Sequence, residues 1–245
     1  MTIDCLSIAK FRQLVELKDF KPPTKKEYVR YVRRLADHFQ SDPATLTEDQ
    51  LRGYFLFLRQ DKQFSGSAMS IGKAAFQLFF RDQLGHTDWK VFAELVIRRN
   101  QPLPLVLSRE EVQRTLGALR EERFRVCLRL IYHCGLRVGE AVKIKVTDLD
   151  ATQLRLHIRL GKGGKDRSVP ITQRMIAELR TFWKTHRNPV WLFPAPGRSW
   201  RERGEDRNPV LGRATTFMSV SAVQNAFRLA RAASGIHPQS CVHTL

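Results

Sequence analysis

An arginine and a glutamate stand three residues apart just after a glycine, in the stretch CGLRVGEAVKIKVTDLD. Gly135 predicts the end of one helix, and Arg137 the start of the next, with Glu140 one turn further on. A guanidinium beside the N–H groups of a helix N-terminus binds phosphate, and Glu140 is placed to hold that arginine. Taken alone, the same spacing also fits an ordinary surface salt bridge.

A second candidate is Lys162, in the glycine-rich stretch GKGGKDR. A nucleotide-binding P-loop is excluded, because that pattern requires Gly-Lys-Ser/Thr between a strand and a helix, whereas Lys162 precedes Gly163. A lysine on a hairpin tip could instead reach into a DNA groove, or donate a proton if its pKa is shifted. The alternative is a solvated turn.

The residues on both sides of this stretch predict strands. From Leu154 to Leu160, in LRLHIRL, apolar residues alternate strictly with arginine and histidine, which is typical of a half-buried strand. RSVPI then returns as a second strand, so the two segments predict a β-hairpin whose tip carries Lys162.

The first hundred residues contain only helical patterns. One helix carries Tyr28, Val32, Leu35 and Phe39 at helical spacing, with Thr24 as its candidate N-cap. TEDQLRGYFLFLRQ opens with a capping box from Thr47 to Gln50. SGSAMSIGKAAFQLFFRDQLG starts a further helix after Ser-Gly and ends it at Gly85. These segments predict a small helical bundle with basic faces.

Pro102 and Pro104 mark a linker, since proline breaks helices. Ser108 and Glu111 form a capping box that starts the next helix. We therefore expect two domains, residues 1–100 and 103–245.

The second half contains two further clear helices. ERFRVCLRLIYHC is mostly apolar, which predicts that Tyr132 packs in the core and that Cys127 and Cys134 are buried free thiols. VSAVQNAFRLARAASG is a late helix with Gly235 as its C-cap.

Composition indicates a polyanionic partner. The chain has 245 residues, with 42 Lys and Arg against 24 Asp and Glu, a net charge of +18. Hydrophobic residues make up 42%, enough for a packed core. Nucleic acid fits this charge through phosphate neutralisation, whereas a membrane surface fits less well because the basic residues are spread along the chain. A merely basic protein is the remaining alternative.

Cofactor and membrane signals are missing from the sequence. The four cysteines form no Cys-x-x-Cys pair, and no apolar run approaches the roughly 20 residues of a membrane span. We therefore expect no zinc site and no membrane span, and a cytoplasmic protein. With DNA as its partner the protein would be nucleoid-associated, and no cofactor or metal is expected. An RNA-binding module is disfavoured, because no aromatic strand motif of that kind is present.

The order of these motifs resembles that of the tyrosine recombinases, the phage-type integrase family. CGLRVGEAVKIKVTDLD resembles the first arginine box, LGKGGKDRSVPI the lysine hairpin and TKKEYVRYVRRL the N-terminal core-binding helices. LFPAPG and AFRLARAASGI resemble the segments that follow the hairpin. The resemblance runs from about residue 12 to 245. The arginine- and glycine-rich stretch GRSWRERGEDRNPVLGRATTFMSVSAVQ looks most like the integron-integrase branch.

The resemblance implies a fold and a set of roles. The fold would be mainly α with a small β-hairpin or sheet: a helical, SAM-like core-binding domain followed by an α+β catalytic domain. In the family a tyrosine attacks a DNA phosphodiester, arginines and a histidine stabilise the pentavalent phosphorane, and a lysine protonates the leaving 5′-oxygen without a metal. These roles carry over to Arg137, Lys162 and His243, with Glu140 orienting Arg137. The expected partners are duplex DNA recombination sites and, for a full-length member, a tetrameric synapse on DNA.

His243 begins the chain's final letters HTL, which match the start of the family's second box, His-x-Leu-Arg-His. The second arginine and the nucleophilic tyrosine would follow Leu245, and all four tyrosines precede Arg137. We therefore expect a catalytic domain that is incomplete and inactive alone. The alternative is a non-cutting DNA-binding remnant or regulator that occupies recombination sites. An in-frame Arg-His and a later tyrosine beyond Leu245 would favour the enzyme.

The two-domain organisation predicts a protease-sensitive linker. Limited proteolysis without DNA should cut between residues 98 and 107, because the prolines there favour an exposed connection. N-terminal sequencing of the fragments checks this, and a single resistant core that spans the junction would contradict the boundary.

Overall fold

The computed structural model describes residues 5–98, 105–159, 166–197 and 207–245. The chain divides into two compact units, Met1–Pro102 and Leu103–Leu245. Lys162 lies outside the described residues, as do residues 198–206 of the arginine- and glycine-rich stretch. Within the described ranges, no helix is both long and apolar enough to cross a membrane.

The described residues of the first unit form helices joined by loops and include no strand. Its helices are α1 (Leu6–Leu17), α2 (Pro22–Phe39), α3 (Glu48–Gln60), α4 (Gly66–Gln77), which continues as a π-helical segment (Leu78–Gln83), and α5 (Val91–Glu94). The predicted capping box opens α3: the Thr47 N–H donates to Gln50 Oε1 at 2.8 Å, and the Gln50 N–H donates to Thr47 Oγ1 at 3.3 Å. The helical bundle that the sequence predicted is therefore confirmed.

The start of α2 differs from the prediction. The helix begins at Pro22 with Lys21 at the N-cap, so the expected N-cap at Thr24 was wrong. Proline is tolerated in the first turn, because the N–H groups there have no partner within the helix. The pair Pro22-Pro23 therefore opens the helix and leaves Thr24 inside its first turn.

Aromatic rings fill the core of the first unit. Phe76 on α4 meets the rings of Tyr31 on α2, and of Tyr54 and Phe55 on α3, at centroid distances of 5.5–6.3 Å. Gly72 lets α2 and α4 approach closely, because a Cβ there would lie 2.9 Å from the Tyr31 ring. Such edge contacts fix how the helices pack, and so fix the basic faces they leave outside.

The second unit combines helices with a small sheet. Its elements are α6 (Arg109–Gly117), α7 (Glu122–Cys134), α8 (Val138–Ala141), β1 (Leu149–Asp150), β2 (Arg155–Ile158), β3 (Arg167–Pro170), α9 (Gln173–His186), α10 (Arg207–Gly212) and α11 (Val220–Ser234). Short 3-10 turns span Val146–Asp148 and Val242–Thr244. The Ser108–Glu111 capping box and the Gly235 C-cap are confirmed.

The predicted hairpin is part of a three-stranded antiparallel sheet in the order β1-β2-β3. Leu156 and Ile158 are buried, whereas Arg155 and His157 are exposed, as the alternation predicted. The strand β2 begins at Arg155, one residue after the predicted start, because Leu154 has a positive φ of 54° and turns the chain. The predicted end at Leu160 lies outside the described residues. The short strand β1 carried no recognisable pattern in the sequence.

Helix α7 lies at the centre of the second unit's core. Its buried residues include Cys127, Leu128 and Ile131, and burial raises the pKa of the Cys127 thiol. Cys134 is only partly buried, with a pKa raised by burial to about 11. The expectation that Tyr132 packs in the core was wrong. Its side chain is 36% exposed, whereas its immediate predecessors Leu130 and Ile131 are buried.

Candidate functional site

Arg137 occupies a sharp turn that the sequence builds in two steps. Gly135 ends α7 with a φ of 57°, a left-handed conformation that glycine adopts at low cost. Leu136 and Val138 are then buried on either side of Arg137, whose side chain is 51% exposed. The two apolar neighbours fix the backbone, so the guanidinium begins from a defined position and reaches solvent.

Glu140 holds this turn closed, as its spacing from Arg137 predicted. Its carboxylate accepts the Arg137 backbone N–H at 2.9 Å and Arg137 Nη1 at 3.0 Å. The helix that follows, α8, is only four residues long, and Glu140 accepts the N–H of its N-cap residue, Arg137. The capacity to bind phosphate therefore lies in the guanidinium rather than in a helix N-terminus.

Arg167, which the sequence analysis missed, also binds Glu140. Its Nη1 and Nη2 donate to the two carboxylate oxygens at 2.8 and 2.9 Å, in a bidentate pair. A signal for this residue was present in the hairpin pattern. Arg167 pairs with Ile158 in the sheet, and paired residues share a face, so the register puts an arginine on the buried side of the hairpin.

These contacts determine the protonation of Glu140. Its side chain is only 8% exposed, and burial alone would raise the pKa of the carboxyl group. Hydrogen bonds from Arg167 and Arg137 outweigh burial and lower that pKa to about 2. Glu140 is therefore ionised across the physiological pH range.

A second ion pair of the same kind anchors the other side of the hairpin. Arg159, just after β2, donates from Nε to Asp148 Oδ1 at 2.6 Å, and the Lys145 N–H donates to Asp148 Oδ2 at 2.9 Å. The Asp148 side chain is 3% exposed. Each side of the hairpin is therefore fixed by an arginine bound to a buried carboxylate that also closes a turn.

His243 lies in the 3-10 turn Val242–Thr244. Val242 is buried in the core of the second unit, and His243 next to it is exposed. The Thr244 hydroxyl donates to the Cys241 carbonyl at 2.7 Å, and Arg231 Nη1 on α11 donates to the Ser240 carbonyl at 2.9 Å. These contacts attach the turn to α11 and present the imidazole outward.

Arg137, Arg167 and His243 line one open cavity of about 370 Å³, with Ile131, Leu136 and Val242 as its apolar walls. Two of the three predicted catalytic residues are thus brought together from separate parts of the chain. Lys162, the third, lies outside the described residues, between Arg159 and Arg167 in the sequence. Two guanidinium groups and an imidazole at one cavity suit a phosphate diester.

Metal ligands are not gathered at this cavity. Across the ranges that the structure describes, no group of three or more His, Cys, Asp or Glu side chains could hold a metal ion.

The first unit carries a separate basic groove of about 520 Å³ between α1 and α2. It is lined by Arg12, Lys25, Lys26, Arg30 and Arg33 beside Phe20 and Val29. Lys25 is paired with Glu16 at 2.9 Å, and Arg30 is paired with Glu27. The groove therefore keeps a positive excess, next to an apolar floor.

The sequence pattern of the Phage integrase family matches residues 106–245, and that of the phage integrase N-terminal SAM-like domain matches residues 8–90. The chain belongs to the phage integrase family. The first match contains Arg137, Glu140, Arg167 and His243, so the cavity lies within the part that carries the family's sequence pattern.

Curated relatives agree with this membership. The chain is 33% identical over 181 residues to the putative integrase/recombinase y4qK of Sinorhizobium fredii, covering 74% of this chain and 58% of that protein. It is 28% identical over 263 residues to an integrase/recombinase of Escherichia coli, covering 96% of this chain and 77% of that protein. It is 29% identical over 177 residues to the tyrosine recombinase XerA of Thermococcus kodakarensis, covering 71% of this chain and 60% of that protein.

Solved structures show the same fold. A lambda integrase fragment (75-356), crystallised as a dimer bound to a COC' core site, superimposes with a TM-score of 0.74 at 15% identity, covering 100% of this chain and 86% of that one. The Tn1549 transposon integrase in complex with transposon right end DNA superimposes with a TM-score of 0.69 at 12% identity, covering 100% of this chain and 84% of that one. The predicted fold, mainly helical with a small sheet, is confirmed.

Glu140 generates a prediction on pH and stability. Because its pKa is lowered from 4.5 to about 2, its contribution to stability is complete above pH 4.5 and is lost as the pH falls towards 2. Glu140→Gln should therefore lower the free energy of unfolding by roughly 2 kcal/mol near neutral pH, since hydrogen bonds to a charged group are lost. That difference should shrink as the pH falls below 4.5.

Urea unfolding of both proteins across this pH range measures the difference. Asp49→Asn is the matched control, because the Asp49 side chain is 90% exposed in its pair with Arg52 and should contribute little. A Glu140→Gln penalty that is equal at every pH would show that ionisation of Glu140 does not support the fold.

Proposed function

We propose that this chain binds duplex DNA and positions the scissile phosphate for site-specific recombination by a tyrosine recombinase. The observation that carries the proposal is the cavity where Arg137, Arg167 and His243 meet, with Glu140 holding both arginines. Positive donors fixed by a buried carboxylate are arranged before the substrate arrives, which is the requirement for stabilising charge that develops in a transition state.

Within this function, Arg137 and His243 stabilise the charge on the phosphorane, and Lys162 protonates the leaving 5′-oxygen. Arg137 has the geometry for its role, because its guanidinium is exposed while its backbone is held by Glu140. His243 offers a second donor from the opposite end of the unit's sequence. Charge stabilisation by these side chains requires neither a metal nor a cofactor.

The two parts of the chain would make different contacts with DNA. We assign core binding to residues 1–100, with the basic groove between α1 and α2 as a phosphate-contacting surface, and phosphate positioning to residues 103–245. The net charge of +18 supports phosphate contacts by the chain as a whole, since such contacts neutralise it.

The solved neighbours support a proposal about the partners. The lambda integrase structures are described as a dimer bound to a core site and as a tetramer bound to a Holliday junction. We propose the same kind of partner here, duplex recombination sites on which several copies assemble. The chain spans 58% and 59% of the lengths of two Sinorhizobium relatives, so assembly is proposed for a protein that includes this chain.

A second candidate function is DNA binding without cleavage, favoured by the positions of the tyrosines. Tyr31 and Tyr54 are buried in the first unit. Tyr132 is exposed, but it lines a different cavity, of about 750 Å³, together with Arg109 and Arg174. None of the four tyrosines lines the cavity of Arg137, so the 245-residue polypeptide would occupy a site without cutting it.

Binding to duplex DNA should depend steeply on salt. Each neutralised phosphate contributes about 0.9 to the slope of log K against log salt. Arg137→Ala should weaken binding modestly and lower the slope by about 1, because one phosphate contact among many is lost. Fluorescence anisotropy over a salt series measures both values.

Arg180→Ala removes the same charge from α9, away from the cavity, and serves as the matched control. A flat slope for the unmodified chain, or tighter binding to anionic vesicles than to DNA, would contradict the nucleic-acid assignment.

The 245-residue polypeptide should form no covalent link to DNA, because none of its tyrosines lines the cavity of Arg137 and cleavage requires a nucleophile there. A nicked suicide substrate, followed on a denaturing gel, checks this. A shifted protein–DNA band would show that another residue attacks the phosphate. Tyr132→Phe would then test the exposed tyrosine directly, with Tyr28→Phe as the matched control.

A further inference from the structure

We infer that Arg167 is a positioning residue: by neutralising Glu140, it leaves the positive charge of Arg137 available to the phosphate. This inference rests on the proposed function, and it assigns a role to a residue that the sequence motifs did not single out.

The hydrogen-bond pattern at Glu140 is unequal between the two arginines. Arg167 uses both terminal nitrogens on both oxygens, at 2.8 and 2.9 Å, whereas Arg137 gives one side-chain contact, Nη1 to Oε1 at 3.0 Å. Among the described residues, no side chain other than Glu140 binds the Arg137 guanidinium. Arg167 therefore takes the bidentate position, whereas Arg137 lines the cavity with a side chain that is 51% exposed.

The net charge of Arg137, Arg167 and Glu140 determines how strongly they attract a phosphate. Two guanidinium groups and one carboxylate sum to +1, which is the charge that a phosphate diester requires. Without Arg167, Arg137 and Glu140 would sum to zero, and the fork of Arg137 would be free to close on the carboxylate. A neutral pair attracts phosphate far less than an exposed guanidinium does.

Exposure supports this division of roles. The Arg137 side chain is 51% exposed, that of Arg167 35% and that of Glu140 8%. Glu140, the least exposed of the three, is therefore paired with two guanidinium groups. Arg137, the most exposed, makes the fewest side-chain hydrogen bonds to it. This order suits a cluster that is built to meet a ligand through Arg137.

Arg167 also connects two parts of the proposed site. It is the first residue of β3, directly after the segment that carries Lys162, and it binds the turn that carries Arg137. Arg159 makes the comparable contact at the other side of the hairpin, on Asp148. Because Arg159 binds no part of the Arg137 turn, it separates a general effect on the hairpin from an effect on Arg137.

The test compares salt slopes for duplex DNA across matched variants of the full chain. Arg167→Gln should lower the slope by about 1, as Arg137→Ala does, and the double variant should lose no more than either single one. Adding Glu140→Gln to Arg167→Gln should restore the slope, because Arg137 then keeps its own charge. Arg159→Gln should leave the slope unchanged.

The restored slope is the readout that a structural role would not produce. Replacing both Glu140 and Arg167 removes the ion pair that joins the hairpin to this turn, so a purely structural link through that pair would stay lost. If Arg167→Gln is too unstable to measure, the Glu140→Gln/Arg167→Gln variant still tests the inference, since it buries no unpaired carboxylate. Its slope should then fall by about 1 when Arg137→Ala is added.

Two results would overturn the inference alone: Arg167→Gln and Arg159→Gln giving equal slopes, or the Glu140→Gln/Arg167→Gln slope staying as low as that of Arg137→Ala. A failure of the proposed function looks different. In that case the unmodified chain shows no salt-dependent binding, or Arg137→Ala leaves the slope unchanged while the variants remain folded by circular dichroism.

Discussion

The carboxylate of Glu140 receives four hydrogen bonds, and the candidate site is arranged around it. One comes from the Arg137 backbone, one from the Arg137 side chain and two from Arg167. A single ionised group thus closes the turn after α7, orients an exposed guanidinium and fixes the first residue of β3. Because a buried carboxylate without partners is very costly, its three functions depend on one another.

The same principle of placement recurs at each polar group of the cavity. Arg137 lies between buried Leu136 and Val138, His243 follows buried Val242, and Arg167 pairs across the sheet with buried Ile158. An apolar neighbour packed in the core fixes the backbone, and the next side chain then projects from a defined point. The core of the second unit therefore sets the geometry of the cavity as well as the stability of the fold.

The sequence predicted those features that depend on local chemistry. Capping boxes, the helix end at Gly135 and the alternation in β2 are properties of a few adjacent residues, and the structure has them. The sequence predictions were wrong where packing decides the outcome. The helix α2 begins at Pro22, so Thr24 is not its N-cap, and Tyr132 is exposed although its helix is mostly apolar. The contact of Arg167 with Glu140 could be predicted only from the register of the sheet, which pairs Arg167 with Ile158. The role of Lys162 and the integron-type branch stay predictions.

The electrostatics of the cluster argue that it is kept for positioning rather than for stability. A buried ion pair regains little more than the cost of removing its charges from water, and well-packed apolar residues would often serve the fold as well. A second arginine on one carboxylate adds a further charge to dehydrate, and it leaves the cluster with an excess of +1. That excess is unfavourable for the isolated fold, in a chain already at +18. Under the proposed function, the excess becomes favourable when a phosphate enters the cavity, because the anion then neutralises it.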